Sequence, residues 1–249
     1  MPRVFLSFPV SNSDNLSITG ENARYLNSVL RIRKGDSLVL FDIKGEHFDS
    51  HVTSVSRGKV DVKVTASLGT MRETEGGVVL ALGLLKGAKM KLVIQKAVEL
   101  GVSAIIPLET QRTVVKDTRK LDRWKKIALE AARQCGRPSP PPVEPPVSLK
   151  DFFESAGHSL QGVVFYEGDG LEPLSSEDFS TVTEGGTIVA VGPEGGFTST
   201  EIELMVSKGL KARTLGRNIL RAETAAIAAV TLAQYLTGRL GSSALDKNA

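Results

Sequence analysis

The sequence is poor in the residues that support disulfide-stabilised or metal-dependent proteins. Its 249 residues include one cysteine, Cys135, and three histidines, His47, His51 and His158. A single thiol cannot form an internal disulfide, and the histidines are too scattered to match a zinc-ligand spacing with it. We therefore expect neither a disulfide framework nor a bound metal.

Long apolar runs and aromatic side chains are also scarce. The longest apolar stretches, such as residues 78–85 and 225–230, fall well short of the roughly 18 residues that span a bilayer. No charged start followed by an apolar block marks a signal peptide, so we expect a cytoplasmic protein. Aromatic residues make up only 5% of the chain, which argues against a base-stacking platform for generic single strands.

Charge is unevenly distributed although the net charge is only +3. Residues 1–71 carry +2, residues 72–150 carry +7 and residues 151–249 carry −6. The segment 112–137 holds nine bases against three acids, and such a run is either a solvated helix face or a polyanion-binding surface. We favour nucleic acid as its partner. The bases assigned to this surface, including four from the N-terminal part, are Arg3, Arg24, Arg31, Arg33, Arg112, Lys116, Arg119, Lys120, Arg123, Arg133 and Arg137.

The pattern of the first 70 residues predicts a small β-barrel. Short runs of alternating apolar and polar residues near 3–6, 37–42, 51–55 and 59–64 are separated by glycine turns. Only residues 19–30 show helical spacing, which places Ala23, Leu26 and Leu30 on one face. A polar, glycine-bounded stretch at 69–77 predicts a domain boundary.

Beyond that stretch, strand and helix patterns alternate. The predicted strands are 78–84, 104–108, 162–166, 187–191 and 212–215, and the predicted helices are 89–100, 121–134, 148–156, 199–208 and 223–237. This alternation is typical of an α/β fold in which helices cover both faces of a parallel sheet. A proline-rich connection at 138–146 is expected to be extended.

Two glycine-rich corners follow predicted strands, at 192–198 and 215–224. Ligands of open α/β sheets bind at the carboxyl ends of strands, and glycine lets backbone groups approach a ligand closely. Neither corner matches the dinucleotide, P-loop or hydrolase motifs. From the residues alone, each corner is either a tight turn or a ligand site of unnamed type, and Arg217 and Arg221 either cap a helix, pair with Glu223 or meet a ligand.

These corners resemble the signatures of a known family. Two segments are similar to motifs of the RsmE-type ribosomal RNA uridine-N3 methyltransferases, which belong to the SPOUT class. They are Gly-Pro-Glu-Gly-Gly-Phe-Thr at 192–198 with Glu201, and Leu-Gly-Arg-Asn-Ile-Leu-Arg-Ala-Glu-Thr-Ala at 215–225. Further matches lie at 95–102, 106–108, 111–112, 124–128 and 134–137, so the resemblance covers the whole chain. Departures are Arg133, where a Glu is common, and Asn218 and Ala222 in the last motif.

The resemblance implies the architecture and the chemistry. It implies an N-terminal PUA-like β-barrel at 1–71 and a C-terminal SPOUT α/β domain at 72–249, with a parallel sheet and a deep trefoil knot at about 188–225. It also implies a homodimer that binds S-adenosylmethionine and methylates N3 of a uridine in 16S ribosomal RNA of the small subunit. The alternatives are a SPOUT enzyme that acts on another RNA or on a ribose 2′-hydroxyl, and an RNA-binding protein without chemistry.

The same resemblance suggests roles for individual residues. The residues implied to hold S-adenosylmethionine are Phe165, Tyr166, Val191, Gly192, Pro193, Glu194, Gly195, Gly196, Leu215, Gly216, Asn218, Ile219, Leu220 and Thr224. Uridine N3 carries a proton near neutral pH, so a cation beside the forming anion or a base would help. We hypothesise that Arg221 stabilises this charge, that Arg217 assists from the same loop, and that Glu223 orients the arginine or accepts the proton. Glu223 is equally well interpreted as an acidic residue that stabilises the N-terminus of a helix through the helix dipole.

Overall fold

The computed structural model describes residues 1–6, 8–42, 46–70, 77–113, 120–137, 139–155, 161–168, 170–179 and 186–240. The chain forms two compact units, of which the first is Met1–Arg72 with Ala132–Pro140 and the second is Glu73–Ala131 with Pro141–Ala249. His158 and the segment 71–76, where the domain boundary is predicted, lie outside the described residues.

The first unit is built on a five-stranded sheet. Its strands are β1 Arg3–Phe5, β2 Asn15–Thr19, β3 Ser37–Phe41, β4 Glu46–Ser56 and β5 Lys59–Thr70. They are ordered β1-β3-β4-β5-β2, with β1 parallel to β3 and every other pair antiparallel. Alternate side chains such as Val60, Val62 and Val64 are almost completely buried, as period-two patterning requires. The β2 strand is missing from the predicted set.

The predicted helix at 19–30 forms in part. Residues Gly20–Arg24 form α1, and Tyr25–Val29 continue as a π-helical turn. Ala23 and Leu26 are fully buried, whereas Leu30 is 37% exposed. A π-helical turn holds more residues than an α-helical turn, so it breaks the seven-residue spacing on which the prediction for Leu30 depended.

The second unit contains an entirely parallel six-stranded sheet ordered β11-β9-β10-β6-β7-β8. Its strands are β6 Val78–Gly83, β7 Ala104–Glu109, β8 Val147–Ser148, β9 Gly162–Phe165, β10 Thr187–Val191 and β11 Leu210–Arg213. Its helices are α2 Ala88–Glu99, α3 Leu121–Cys135, α4 Leu149–Ser155, α5 Ser199–Ser207 and α6 Ala222–Leu236, with a 3₁₀ helix at Ser176–Phe179. The last residues of α3, from Ala132 on, belong to the first unit.

Helices cover both faces of this sheet, as predicted. One face packs Val79, Ala81 and Ile188 against α4 and α5. Alternate residues of the same strands point to the opposite face, where α6 packs on β6 and β10 and α2 packs on α6. Because the central strands are covered on both sides, β6 and β10 are buried along their whole length. No helix among the described residues is both long and apolar enough to cross a membrane.

Local signals set the helix boundaries. The predicted capping box at the start of α5 is present, because Glu201 N–H donates to Thr198 Oγ1 and Thr198 N–H donates to Glu201 Oε2. Gly136, just after α3, has φ +82, a backbone conformation that favours glycine. The strand predicted at 212–215 instead occupies Leu210–Arg213, since Leu210 is the residue that enters the core.

Candidate active site

The two glycine-rich corners meet at one end of the parallel sheet. They follow the carboxyl ends of β10 and β11, and with the segment after β9 they surround a cavity of about 1110 Å³. The predicted cofactor residues that line it are Phe165, Tyr166, Val191, Gly192, Pro193, Glu194, Gly195, Gly196, Leu215, Gly216, Asn218, Ile219 and Leu220. This edge of an open α/β sheet is where ligands bind.

The first corner folds back tightly on itself. A Cβ added at Gly192 would lie 2.9 Å from Phe197 N and 3.0 Å from Gly196 C, so only glycine fits there without moving the backbone. Gly196 has φ +66, and the next residue, Phe197, is 1% exposed and anchors the corner in the core. The first corner is thereby held as a tight turn in the cavity wall.

Arg112 braces the same corner. Its Nη1 donates to the carbonyl oxygen of Gly195 at 2.8 Å and to that of Phe197 at 3.4 Å. The preceding residue, Gln111, donates its N–H to Glu201 Oε1 at 2.7 Å, so the carboxylate of the capping box ties this segment to the start of α5. Arg112 was assigned to the RNA-binding surface, but its guanidinium lies in the cavity wall.

The second corner is anchored by a buried ion pair. Asp178, whose side chain is fully buried, accepts from Arg213 Nε at 2.8 Å and from Nη2 at 2.7 Å, just before the corner begins. Ser175 N–H also donates to Asp178, and Lys211 Nζ lies 3.3 Å away. Burial alone would raise the pKa of Asp178, but these hydrogen bonds outweigh it and lower the pKa to about 2.

The Asp178 pair predicts a specific loss of stability in acid. A carboxyl whose pKa is about 2 when folded and 3.8 when unfolded stabilises the protein above pH 4, and this contribution disappears as the pH falls through 2. Asp178→Asn should lower the free energy of unfolding by about 3 kcal/mol at pH 7, because Arg213 is left without its buried partner. Urea denaturation should show the gap between variant and wild type closing between pH 4 and pH 2.

Glu203→Gln serves as the control for that measurement. Glu203 is exposed on α5 and belongs to no ion pair within the described part of the chain, so its variant should follow the wild type at every pH. A stability gap for Asp178→Asn that stays constant down to pH 2 would contradict the assignment.

Lys89 is a cavity residue that the sequence analysis missed. It is the second residue of α2, and its Nζ lies 3.4 Å from Glu194 Oε1 and 3.7 Å from Glu223 Oε2. Partial burial would raise the pKa of Glu194, but hydrogen bonds from the backbone N–H groups of Lys86 and of Glu194 itself, and from Lys89, lower it. The place of Lys89 in the sequence could have indicated this location, because Lys89 closely follows a buried strand, β6, whose carboxyl end lies at the same edge of the sheet.

The predicted catalytic residues separate into two groups. Arg217 and Arg221 line the cavity and are exposed, and Arg221 stands at the N-cap of α6 without a side-chain capping bond. Glu223 is not part of the cavity lining and pairs with Lys89 rather than with either arginine. Thr224 is also absent from the lining because its side chain faces solvent on α6.

The bases of the first unit assigned to RNA differ in accessibility. Arg3, Arg24, Arg31 and Arg33 are exposed. Arg133 donates from Nη2 to Asn22 Oδ1 at 2.6 Å and lies 5.8 Å from the centre of the Phe5 ring. Arg137 is only 9% exposed, so its guanidinium is poorly placed to meet a phosphate.

In the second unit, the basic surface is carried by α3. Arg123, Lys125 and Lys126 are exposed on this helix, while Trp124 and Ile127 face the core, as an amphipathic helix requires. Lys120 is half-buried, and Lys116 and Arg119 lie outside the described residues.

The cavity is chemically suited to an adenosyl compound. It combines apolar side chains such as Leu215, Leu220 and Val191 with backbone amides of two glycine corners, a pattern that binds a flat heterocycle and orients it by hydrogen bonds. The described residues contain no group of three or more His, Cys, Asp or Glu side chains that could hold a metal ion.

Comparison of the sequence with known proteins gives consistent matches. Residues 72–234 match an RNA methyltransferase domain, and residues 18–65 match an RNA methyltransferase PUA domain. The ribosomal RNA small subunit methyltransferase E of Bacillus subtilis is 33% identical over 95% of this chain and 97% of its own. The enzyme of the same name from Rickettsia conorii is 29% identical over 94% and 95% of the two chains.

Solved structures show the same similarity. A ribosomal RNA small subunit methyltransferase E from Neisseria gonorrhoeae, bound to S-adenosylmethionine, is 30% identical with a TM-score of 0.85 and covers 95% of this chain and 98% of its own. A Legionella pneumophila protein in complex with the same cofactor is 31% identical with a TM-score of 0.83, over 94% and 96% of the two chains.

Proposed function

Because the chain belongs to the RsmE family of ribosomal RNA small subunit methyltransferases, we propose that it transfers a methyl group from S-adenosylmethionine to N3 of a uridine in 16S ribosomal RNA. The observation that carries this proposal is the cavity between the two glycine corners, which collects 13 of the 14 residues that the resemblance assigns to the cofactor. The shaped small-subunit RNA, rather than a free single strand, is the expected substrate.

S-adenosylmethionine supplies an electrophilic methyl group, so the protein has to position the acceptor nitrogen and favour loss of its proton. The backbone of the first corner and the side chains of Leu215, Ile219 and Leu220 hold the adenosyl group. Ile219 is 80% exposed, and a bound adenine would cover it. Arg221, at the cavity wall, stabilises the negative charge that develops on the uracil oxygens, and Arg217 supports it from the same loop.

RNA binding and catalysis are assigned to different parts of the chain. The barrel at 1–71 and the basic surface of α3 bind phosphates, and the domain at 72–249 holds the donor in a trefoil knot and catalyses the transfer. The enzyme acts in the cytoplasm, where ribosomes are assembled.

The protein acts as a homodimer. Leu92 on α2 and Leu232 and Tyr235 on α6 are exposed apolar side chains, and α2 and α6 pack together, which supports a self-association surface there. Sedimentation equilibrium should give the mass of two chains.

Calorimetry and nucleoside analysis test the proposed function together. The purified protein should bind S-adenosylmethionine and S-adenosylhomocysteine, and cells that lack it should lose 3-methyluridine from 16S ribosomal RNA. If the protein binds neither compound, the result favours the alternative of an RNA-binding protein without catalytic activity. Binding with loss of a different modified nucleoside would point to another RNA or to a ribose 2′-hydroxyl.

RNA affinity should depend on salt through the exposed bases. Arg24→Ala with Arg33→Ala, or Arg123→Ala with Lys125→Ala, should weaken binding and flatten the slope of log K against log salt by roughly 0.7–0.9 for each phosphate that the variant no longer neutralises. Fluorescence anisotropy with small-subunit RNA at several salt concentrations measures this. The pair Lys150→Ala with Lys208→Ala, both exposed and outside the assigned surface, should keep the wild-type slope. An unchanged slope in the first two pairs would reject the assignment.

A further inference from the structure

Lys89 is the only lysine among the described cavity-lining residues, and it is held by both corners at once. Glu194 comes from the corner after β10, and Glu223 comes from the first turn of α6, which follows the second corner. The two carboxylates are 29 residues apart in sequence, and both are more than 100 residues from Lys89. The contact exists only in the folded protein.

The two carboxylates have different surroundings. Glu194 Oε1 accepts from Lys86 N–H at 3.1 Å. The Glu223 side chain is 14% exposed, and its Oε2 has no hydrogen-bond partner within the part of the chain that the structure describes. A carboxylate oxygen this buried needs a nearby cation, and Lys89 Nζ at 3.7 Å provides it.

An ammonium group has three N–H donors. Two carboxylates engage at most two of them, so Lys89 retains a donor for the cavity, which its side chain lines while remaining 38% exposed. Arg112 is committed to the carbonyl oxygens of the first corner. Besides Lys89, the charged residues that line the cavity are Arg112, Glu167, Glu194, Arg217 and Arg221, and Glu223 contacts Lys89 from outside the lining.

We propose that Lys89 is a catalytic residue that donates a hydrogen bond to a carbonyl oxygen, O2 or O4, of the target uracil, and that Glu194 and Glu223 are positioning residues that aim it. This inference rests on the proposed function. It assigns Glu223 the task of holding Lys89 rather than of removing the uridine proton, because Glu223 pairs with Lys89 and is not part of the cavity lining.

The chemical step defines what Lys89 does. The N3–H bond of uridine breaks, its proton passes to solvent, and its electron pair remains on the ring, where it is shared with O2 and O4. Lys89 stabilises this anion from one side and Arg221 from another. The N3–methyl bond then forms as the bond from sulfur to the methyl carbon breaks, and that electron pair returns to sulfur in S-adenosylhomocysteine.

Single-turnover methylation across a range of pH tests this role. Lys89→Met should lower the rate by about 10²-fold near neutral pH, as expected for the removal of one donor to a forming anion. The deficit should shrink as the pH rises, because hydroxide then removes the N3 proton without help. Lys89→Arg should recover part of the rate, and Lys91→Met, on the exposed side of the same helix, should match the wild type.

Two further measurements separate catalysis from structure. RNA that carries 5-fluorouridine at the target, whose N3 is more acidic, should restore much of the activity of Lys89→Met. Calorimetry should show that the variant binds S-adenosylhomocysteine within about twofold of the wild type. A deficit that is constant at all pH values and insensitive to 5-fluorouridine, or one explained entirely by weaker S-adenosylhomocysteine binding, would overturn the assignment.

The wild type distinguishes failure of the proposed function from failure of the role given to Lys89. If it transfers no methyl group to uridine N3, the proposed function fails. If it is active and Lys89→Met is equally active with the same pH profile, only the role of Lys89 fails.

Discussion

Arg221→Ala is expected to lower the single-turnover rate of methyl transfer by about 10²–10³-fold at saturating donor and RNA. Arg221 lines the cavity at the N-cap of α6, and its side chain is exposed. Its charge is therefore available to the uracil oxygens, where negative charge develops as N3 loses its proton. Removing it takes away an interaction that is stronger in the transition state than in the bound substrate, so the rate of the chemical step falls more than affinity does.

The controls for Arg221 isolate the chemical step. Binding of S-adenosylmethionine, measured by calorimetry, should survive Arg221→Ala because the proposed contacts of the adenosyl group are the backbone of the first corner and Leu215, Ile219 and Leu220. Arg221→Lys should retain an intermediate rate, since a point charge partly replaces the planar guanidinium. Lys208→Ala, which removes an exposed cation at the end of α5, should leave the rate unchanged. A near wild-type rate for Arg221→Ala would remove this residue from the mechanism.

The second large effect is expected at Gly83, the last residue of β6. A Cβ built at this position would collide with the backbone nitrogen and Cδ of Pro193 and would lie 2.9 Å from the carbonyl carbon of Gly192. Neither backbone can yield easily at this contact, because Gly83, Gly192 and Pro193 are all buried. Gly83→Ala should therefore displace the first corner, weaken S-adenosylmethionine binding at least tenfold and destabilise the fold by about 2 kcal/mol.

Calorimetry and thermal unfolding measure these two consequences. A destabilisation of about 2 kcal/mol corresponds to a fall in Tm of roughly 4–8 °C for a chain of this length. Gly195→Ala is the milder comparison in the same corner, because the atoms nearest to its Cβ would be side-chain carbons of Arg112, at 3.1 Å or more, and not backbone atoms. If the two variants bind S-adenosylmethionine equally well, the close approach of β6 to the corner does not shape the cavity.

Residues close together in sequence determined much of the fold. Alternation in β5, the capping box at Thr198 and Glu201, and the glycine after α3 are short-range patterns that act wherever they occur, so their structures follow from local sequence. The placement of both glycine corners after predicted strands also anticipated the cavity, because parallel strands bring their carboxyl ends to one edge.

Local patterns gave a less accurate account where a neighbour in space decides the conformation. The expectation that the proline-rich segment is extended stands, but local sequence did not indicate its pairing with β7, which depends on Ile105: this residue accepts from Glu144 N–H and donates to Pro142 O. The π-helical turn at Tyr25–Val29 similarly changed which residue of that segment is buried, with Ile32 entering the core instead of Leu30.

The sequence by itself determined the order and type of most elements, the glycine corners and the family resemblance, because each depends on residues that are near one another in the chain. Only the tertiary structure decided that Arg112 braces a corner, that Arg137 is buried, and that Lys89 lies between Glu194 and Glu223. Each of these depends on side chains brought together by the packing of distant elements. A charged residue looks the same in the sequence whether it faces solvent, a carbonyl oxygen or a buried carboxylate, and only its packed surroundings set its role.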